Sequence, residues 1–233
     1  MNPETEKPLF RRWVTGFACL IAILPLLYLT LVWNKLPTQV PMHYNLAGEI
    51  DRYGTRSELL GLTGIMSGVA VGLMVLFYFL PRFDPKGNLK YSSQALQMIG
   101  LGTCLLLATL STSLIRMAIS WDVTEVLNVL PFALAGLMAL IGNYMTSLRP
   151  NYFAGFRTPW TLENEVVWRK THRVGGRVMF WGSLLCLVPM LFLPGGVTKF
   201  IFFAAVLMGI FAYTLFYSYQ VYREEKQNPS QAV

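Results

Sequence analysis

Six apolar stretches separated by short polar segments dominate the hydropathy pattern of this sequence. A helix needs about 20 apolar residues to cross the hydrocarbon core of a bilayer. The predicted spans are Trp13–Trp33, Leu59–Leu80, Ser93–Ile119, Val126–Leu148, Val178–Leu193 and Phe200–Tyr222. The pattern therefore predicts an all-α membrane protein, with residues 1–233 forming one transmembrane domain of six bundled helices. Residues 223–233 are predicted to be a flexible C-terminal tail.

The composition supports this class of protein. Charged residues make up 13% of the chain and hydrophobic residues 54%, whereas a soluble domain carries roughly 25% charged residues. The net charge of +7 comes from residues in the connecting segments, where basic side chains set topology and meet anionic lipid. We therefore expect no direct nucleic-acid partner. All three cysteines lie in apolar stretches, so we predict no disulfide, and we predict no cofactor.

The distribution of Lys and Arg predicts the orientation. Fourteen of them fall in the N-terminal segment, the 2–3 connection, the 4–5 connection and the C-terminal segment, which an even number of spans places on one side. Four fall on the other side, with Lys35, Arg52 and Arg56 in the 1–2 connection and Lys199 in the 5–6 connection. Basic residues accumulate on the cytoplasmic side. Both termini are therefore predicted to be cytoplasmic, in a multi-pass membrane protein.

The outer connection, residues 34–58, is too polar to span the membrane and is predicted to be ordered. It contains His43, Asn45, Glu49 and Asp51 between turn-forming glycines and prolines. With Arg116, the one charge inside an apolar stretch, these side chains form our candidate ligand-binding group. His43, Glu49 and Asp51 are also a weak candidate for a metal site. A structural polar cluster is favoured over metal binding, because no second histidine lies nearby.

Arg116 stands close to the predicted outer boundary of the third span. Intramembrane charges are costly and suggest function, but this side chain can also extend to the interface or pair with an acidic group. The acidic residues considered for such a pair are Asp122, Glu125, Asp51 and Glu49.

The inner connection, residues 149–177, is predicted to contain an amphipathic helix from about Leu162 to Val174 that lies on the inner leaflet. Its basic side chains would bind anionic lipids or a cytoplasmic partner, and both alternatives stay open. His172 is predicted to be a neutral surface or packing residue. The candidate partner-binding or structural residues are Arg157, Trp160, Trp168, Arg169, Lys170, His172 and Arg173.

The two connections together resemble those of the SdpI immunity-protein family of bacterial membrane proteins. The outer stretch LPTQVPMHYNLAGEIDRYGTRSE is similar to the family's extracytoplasmic, DUF1648-type motif, and the inner stretch contains GFRTPWTL followed by WRKTH. The outer motif falls on Pro41, His43, Asn45, Gly48 and Asp51. The inner motif falls on Gly155, Arg157, Thr158, Pro159, Trp160, Thr161, Leu162, Trp168, Thr171 and His172.

The resemblance implies a non-enzymatic protein that gives resistance to a secreted antimicrobial peptide toxin of the SDP type. It also implies a signalling role in which a small cytoplasmic repressor is held at the membrane. The expected partners are therefore the toxin at the outer face, anionic lipids at the inner leaflet and a small transcriptional repressor.

Two alternatives come from other classes of protein. A small membrane transporter or exporter would use proline-broken spans and an intramembrane arginine, although we find no internal repeat. A membrane-embedded metal-dependent hydrolase would be built on the weak metal candidate of the outer connection. No residue is predicted to be catalytic.

Overall fold

A computed structural model of the protein describes residues 8–45 and 49–227. The helices are α1 (Pro8–Leu31), α2 (Arg56–Phe79), α3 (Ser93–Ser120), α4 (Thr124–Leu127), α5 (Leu130–Met145), α6 (Pro159–Glu163), α7 (Glu165–Phe192) and α8 (Gly196–Gln227). Two short strands, β1 (Gln39–Tyr44) and β2 (Ile50–Thr55), pair in antiparallel fashion between α1 and α2.

The described part of the chain contains six helices that are long and apolar enough to cross a membrane. This finding confirms the predicted six-helix bundle, and helices account for 79% of the described residues. The fourth crossing segment, Thr124–Met145, consists of α4 and α5. Pro131 lies at the start of α5, where its missing N–H removes no helical hydrogen bond.

The bundle consists of two groups of three packed helices. Helices α1, α2 and α3 form one group, α5, α7 and α8 form the other, and α3 packs against α5 between them. Helices α5 and α7 approach closely, since a Cβ atom on Gly142 would lie 2.5 Å from the Phe180 backbone nitrogen. Large apolar side chains such as Trp13, Phe192 and Met208 are 73–82% exposed, as expected of helices that face lipid.

The fifth crossing helix differs from its prediction. The segment from Leu162 to Val174 was expected to be a separate helix on the inner leaflet, followed by a short span from Val178. Instead α7 is continuous for 28 residues, Glu165–Phe192. Its first turns are held against the bundle because Val167, Trp168 and His172 lie on one face and are buried. The predicted contact of this segment's basic side chains with lipid stays a prediction.

The structure also adds to or differs from the prediction in two polar segments, the outer connection and the C-terminal segment. The outer connection, which the sequence predicted to be an ordered loop, contains a β-hairpin of β1 and β2. Gly48 lies outside the described residues. The C-terminal segment was predicted to be flexible from Arg223, yet α8 continues to Gln227, where Glu225 forms an ion pair with Lys170. Residues 228–233 lie outside the described part.

Candidate functional site

The β-hairpin packs on the ends of α1, α2 and α3. Val40 of β1 is fully buried in a cluster with Leu29, Leu59 and Ile115, one residue from each of these helices. Gly54 stands opposite Val40 in the register. The hairpin leads directly into α2, whose first turn is capped by the Thr55 side chain and Glu58. We call this end of the bundle the hairpin end.

Two polar pairs cross the hairpin near its tip. His43 Nδ1 lies 2.6 Å from Asp51 Oδ1, and the Asn45 side chain donates to Glu49 Oε2 at 3.0 Å. The Glu49 backbone N–H in turn donates to Asn45 Oδ1 at 3.0 Å. All four residues are exposed. The predicted outer residues are therefore brought together as pairs that link the strands and also face solvent.

The three weak metal candidates do not form one ligand set. His43 and Asp51 face each other, whereas Glu49 bonds to Asn45. Among residues 8–45 and 49–227, no three His, Cys, Asp or Glu side chains are grouped as ligands for a metal ion. The hydrolase alternative thus has no three-ligand set in the described hairpin.

The hairpin is fixed to the bundle by further contacts. Arg56, the first residue of α2, donates from Nε to the Pro37 carbonyl at 3.0 Å and from Nη2 to the Leu36 carbonyl. The rings of Tyr53 and Trp121 lie 6.0 Å apart between their centroids. These contacts connect β1, β2 and the end of α3, and they hold the hairpin in one orientation.

Arg116 pairs with Glu125, one of the acidic residues considered from the sequence. Its Nε and Nη2 atoms donate to the two carboxylate oxygens of Glu125, each at 3.0 Å. This bidentate geometry is the strongest form of such a pair. The Arg116 side chain is 57% exposed, however, and exposed ion pairs contribute little to stability. The guanidinium therefore remains accessible to a ligand.

A lateral groove of about 460 Å³ begins at this ion pair and continues toward the middle of the bundle. Ile21, Leu24 and Pro25 of α1 form one wall, and Leu105 and Ala108 of α3 belong to the other. Three side chains of α3 with hydroxyl groups also line the groove, namely Thr109, Thr112 and Ser113. The groove is thus apolar along its length, lightly polar on one wall and charged at its end.

Two further groups determine the charge near this rim. Burial, together with the negative charge of Asp122, raises the pKa of Tyr44 above its ordinary value. Asp122 itself accepts hydrogen bonds from the Thr124 hydroxyl at 2.7 Å and the Thr124 N–H at 2.9 Å. These bonds lower the pKa of Asp122. Asp122 is therefore anionic and Tyr44 neutral at physiological pH.

At the opposite end of the bundle, the connection between α5 and α7 folds onto α7. The Asn151 side chain accepts the N–H groups of Phe153 and Ala154 and donates to the carbonyls of Arg149 and Ala154. This fully buried residue thereby defines a tight turn. Gly155 follows at φ +107°, a conformation that L side chains rarely adopt.

His172 fastens this turn to α7. Its Nε2 atom accepts the Phe156 N–H at 3.0 Å, and its Nδ1 atom lies 2.9 Å from the Trp168 carbonyl oxygen. Because one nitrogen must accept and the other must donate, the ring is neutral with its proton on Nδ1. The ring stacks on Trp168 at 3.9 Å between centroids. His172 is therefore a buried packing residue, which is one of the two roles predicted for it.

Both tryptophans of the inner motif have internal partners. The Trp168 indole N–H donates to the Leu148 carbonyl at 2.8 Å, and the side chain is fully buried. The Trp160 indole N–H donates to Ser218 Oγ at 3.0 Å on α8. Trp168 belongs to the segment predicted to lie on the inner leaflet, but its side chain lies in the protein interior, where its N–H has a backbone acceptor.

The basic candidates of the inner connection divide into two kinds. Lys170 pairs with Glu225 at 2.8 Å, and Arg157 donates to the Tyr152 carbonyl at 2.6 Å. Arg169 and Arg173 are exposed and have no hydrogen bond or ion pair with the residues that the structure describes. Of these four residues, Arg169 and Arg173 can bind a ligand without losing an internal contact.

Sequence reasoning missed the groove and left open which acidic residue pairs with Arg116. Glu125 was one of four acidic residues near Arg116, and only the short helix α4 brings its carboxylate to the guanidinium. The hydroxyl residues of α3 recur at spacings of three and four and so share a face. That regular spacing was the available signal for a polar wall.

Comparison with known proteins matches both connections to family models. Residues 147–218 match the SdpI/YfhL protein family. Residues 20–67 match a domain of unknown function, DUF1648. These two matches contain the inner connection with its following helices and the hairpin with its flanking helices.

Two relatives illustrate the similarity. The chain is 24% identical to the immunity protein SdpI of Bacillus subtilis over 210 residues, which is 88% of this chain and 94% of that protein. It is 49% identical to an uncharacterized protein of Archaeoglobus fulgidus over 64 residues, 28% of this chain and 32% of that protein. No solved structure matches the chain.

Proposed function

Because the chain belongs to the SdpI/YfhL family and is a multi-pass protein of the bacterial membrane, we propose that it is an immunity protein. It binds a membrane-active peptide toxin of the SDP type at the hairpin end and protects the cell that contains it. The observation that carries this proposal is the similarity to an immunity protein over 88% of the chain. The function is binding, not catalysis.

The lateral groove is the surface that best fits such a peptide. A peptide that enters membranes has an apolar face, and the groove offers apolar walls from α1 and α3 at bilayer depth. The polar end group of the peptide contacts Arg116 and Glu125 at the rim of the groove, where this ion pair is partly exposed. A peptide held in this groove is removed from the population that permeabilises the bilayer. The exposed His43 and Asp51 pair adds polar contacts beside the rim.

Filling the groove tests this proposal in cells. The gene is expressed in a toxin-sensitive strain that lacks its own immunity protein, and survival is measured against an SDP-type peptide. The Ala108→Phe variant places a ring in the groove and is expected to reduce protection about tenfold, corresponding to a loss of about 1.4 kcal/mol of binding free energy. Membrane abundance and elution as a single species in detergent show whether the variant folds.

The matched control is Ala205→Phe, on an exposed position of α8 outside the groove. It makes the same substitution and is expected to protect as well as the unmodified protein. A chain that gives no protection against the peptide contradicts the immunity function. Full protection by a well-folded Ala108→Phe variant contradicts the groove as the binding site.

The signalling part of the proposal concerns a small cytoplasmic repressor. The inner motif residues Trp160, Trp168 and His172 already bond within the protein. A repressor would therefore meet exposed side chains such as Arg169, and the motif would support their position. Co-purification of a repressor encoded beside this gene, with and without toxin, tests this prediction. Absence of toxin-dependent capture counts against it.

A further inference from the structure

A second cavity, of about 410 Å³, lies between α5 and α7 at the end of the bundle opposite the hairpin. Arg173 and Arg177 line it from α7, one helical turn apart, while Asn143 and Thr146 face them from α5. Gly142 and Gly176 bring the two helices into backbone contact beside it, since a Cβ atom on Gly176 would lie 2.8 Å from the Gly142 carbonyl oxygen. The cavity therefore has a fixed base and a cationic wall.

Three polar side chains of this cavity have no partner among the described residues, whereas the Thr146 hydroxyl donates to the Asn143 carbonyl at 3.4 Å. No hydrogen bond or ion pair joins Arg173, Arg177 or the Asn143 side chain to another residue in the described ranges. Two other basic side chains at this end are engaged, in the Lys170–Glu225 ion pair and in the Lys86 bond to the Leu162 carbonyl. Two neighbouring guanidinium groups without a counter-charge are a favourable site for an anion.

The position of Arg173 and Arg177 along α7 indicates which anion can reach the cavity. Arg177 lies about 18 Å from the start of α7, given the helical rise of 1.5 Å per residue. The apolar segment 178–192 follows at once, and Trp181, 59% exposed, lines the same cavity. Arginines at such a boundary, next to an aromatic side chain, are at the level of lipid headgroups. Basic pockets between membrane helices on the cytoplasmic side bind phosphate headgroups.

We propose that this cavity binds a phosphate group, with Arg173 and Arg177 as its charged ligands and the Asn143 amide as an additional donor. Phosphate in this position has two sources, the headgroup of an anionic lipid in the inner leaflet and a soluble phosphate. The acyl chains of a lipid would extend along the exposed surface near Trp181. The site is separate from the groove at the hairpin end, and binding here does not depend on the immunity function.

The test uses the full-length purified protein in a neutral detergent with added lipid. Native mass spectrometry measures retention of phosphatidylglycerol relative to phosphatidylcholine. The double variant Arg173→Gln/Arg177→Gln is expected to retain phosphatidylglycerol about tenfold less, because two charge-assisted hydrogen bonds are lost. The control Arg223→Gln/Lys226→Gln removes the same charge from exposed positions of α8 outside the cavity and is expected to bind normally.

A second arm distinguishes the two sources. Inorganic phosphate is titrated against the lipid-loaded and the lipid-free protein. Phosphatidylglycerol retention that phosphate does not displace identifies the lipid headgroup, whereas arginine-dependent binding of phosphate alone identifies a soluble anion, and both results support the site. Equal retention by the unmodified protein and a folded double variant overturns the proposal. An equal loss in the control also overturns it, because general charge would then explain the binding.

Discussion

Gly155 and His172 show how single residues of the inner motif act on structure. Gly155 has φ +107°, and a Cβ atom there would lie 2.2 Å from His172 Nε2. That nitrogen accepts the Phe156 N–H, so the histidine ring occupies the space that any larger residue would need. The glycine thus serves both the backbone turn and the hydrogen bond that closes it.

Replacing Gly155 by alanine is therefore expected to destabilise the protein by about 2 kcal/mol or more, from backbone strain and displacement of a buried ring. Thermal unfolding in detergent measures the effect. The matched control is Gly68→Ala in α2, where an added Cβ meets nothing within 4 Å. That change should be neutral or slightly stabilising, because alanine favours helix over glycine. Equal unfolding temperatures for the two variants would show that the turn tolerates a side chain.

Some of this residue-scale chemistry followed from the sequence and some did not. The neutral, packed His172 was one of two roles predicted from its cationic neighbours. The burial of Trp168 was not predicted, because an indole beside basic residues is also typical of a headgroup position. The interior position of Trp168 is accompanied by a hydrogen bond to the Leu148 carbonyl. Because another segment of the chain contributes this acceptor, the local sequence does not indicate it.

At the scale of elements, the hairpin depends on one side chain at the start of α2. Arg56 bonds to the carbonyls of Leu36 and Pro37, which precede β1. The Arg56→Met variant keeps the apolar stem but removes these charge-assisted bonds, each contributing about 1.5–3 kcal/mol. Amides of β1 are expected to exchange with deuterium at least about tenfold faster. Hydrogen–deuterium exchange with mass spectrometry gives the rates strand by strand.

The control for Arg56 is the Arg52→Met variant in the same hairpin. Arg52 pairs with Glu58 at 2.9 Å, but the two side chains are 64% and 43% exposed. An ion pair of this kind contributes little to stability, so the exchange of β1 should stay close to that of the unmodified protein. Unchanged exchange in the Arg56→Met variant would mean that the buried Val40 side chain alone holds the hairpin.

The elements that the sequence predicted correctly are those with a strong and continuous apolar signal. The six crossing helices belong to this class. The hairpin lacked such a signal, since its strands are six residues each and β1 contains Pro41. The start of α7 was predicted too late, because arginines interrupt the apolar run although the buried face of the helix continues through them.

At the scale of the whole molecule, the two candidate sites lie at opposite ends of the bundle. The groove with Arg116 lies at the hairpin end between α1 and α3, and the cavity with Arg173 and Arg177 lies between α5 and α7. Helix α3 packs on both α1 and α5 and so connects the two groups of helices. If the hairpin faces outward, the first site meets secreted peptides and the second meets the inner leaflet.

Labelling of single cysteines in intact cells tests this orientation. In a background where Cys19, Cys104 and Cys186 are replaced by alanine, Thr38→Cys places an exposed thiol beside the hairpin and Arg169→Cys places one at the opposite end. A membrane-impermeant maleimide is expected to label only Thr38→Cys, because the basic segments remain cytoplasmic. Both positions should react once the membrane is permeabilised, which shows that each thiol is accessible. Labelling of Arg169→Cys alone in intact cells would show the opposite orientation. In that orientation a secreted peptide could not reach the groove from outside.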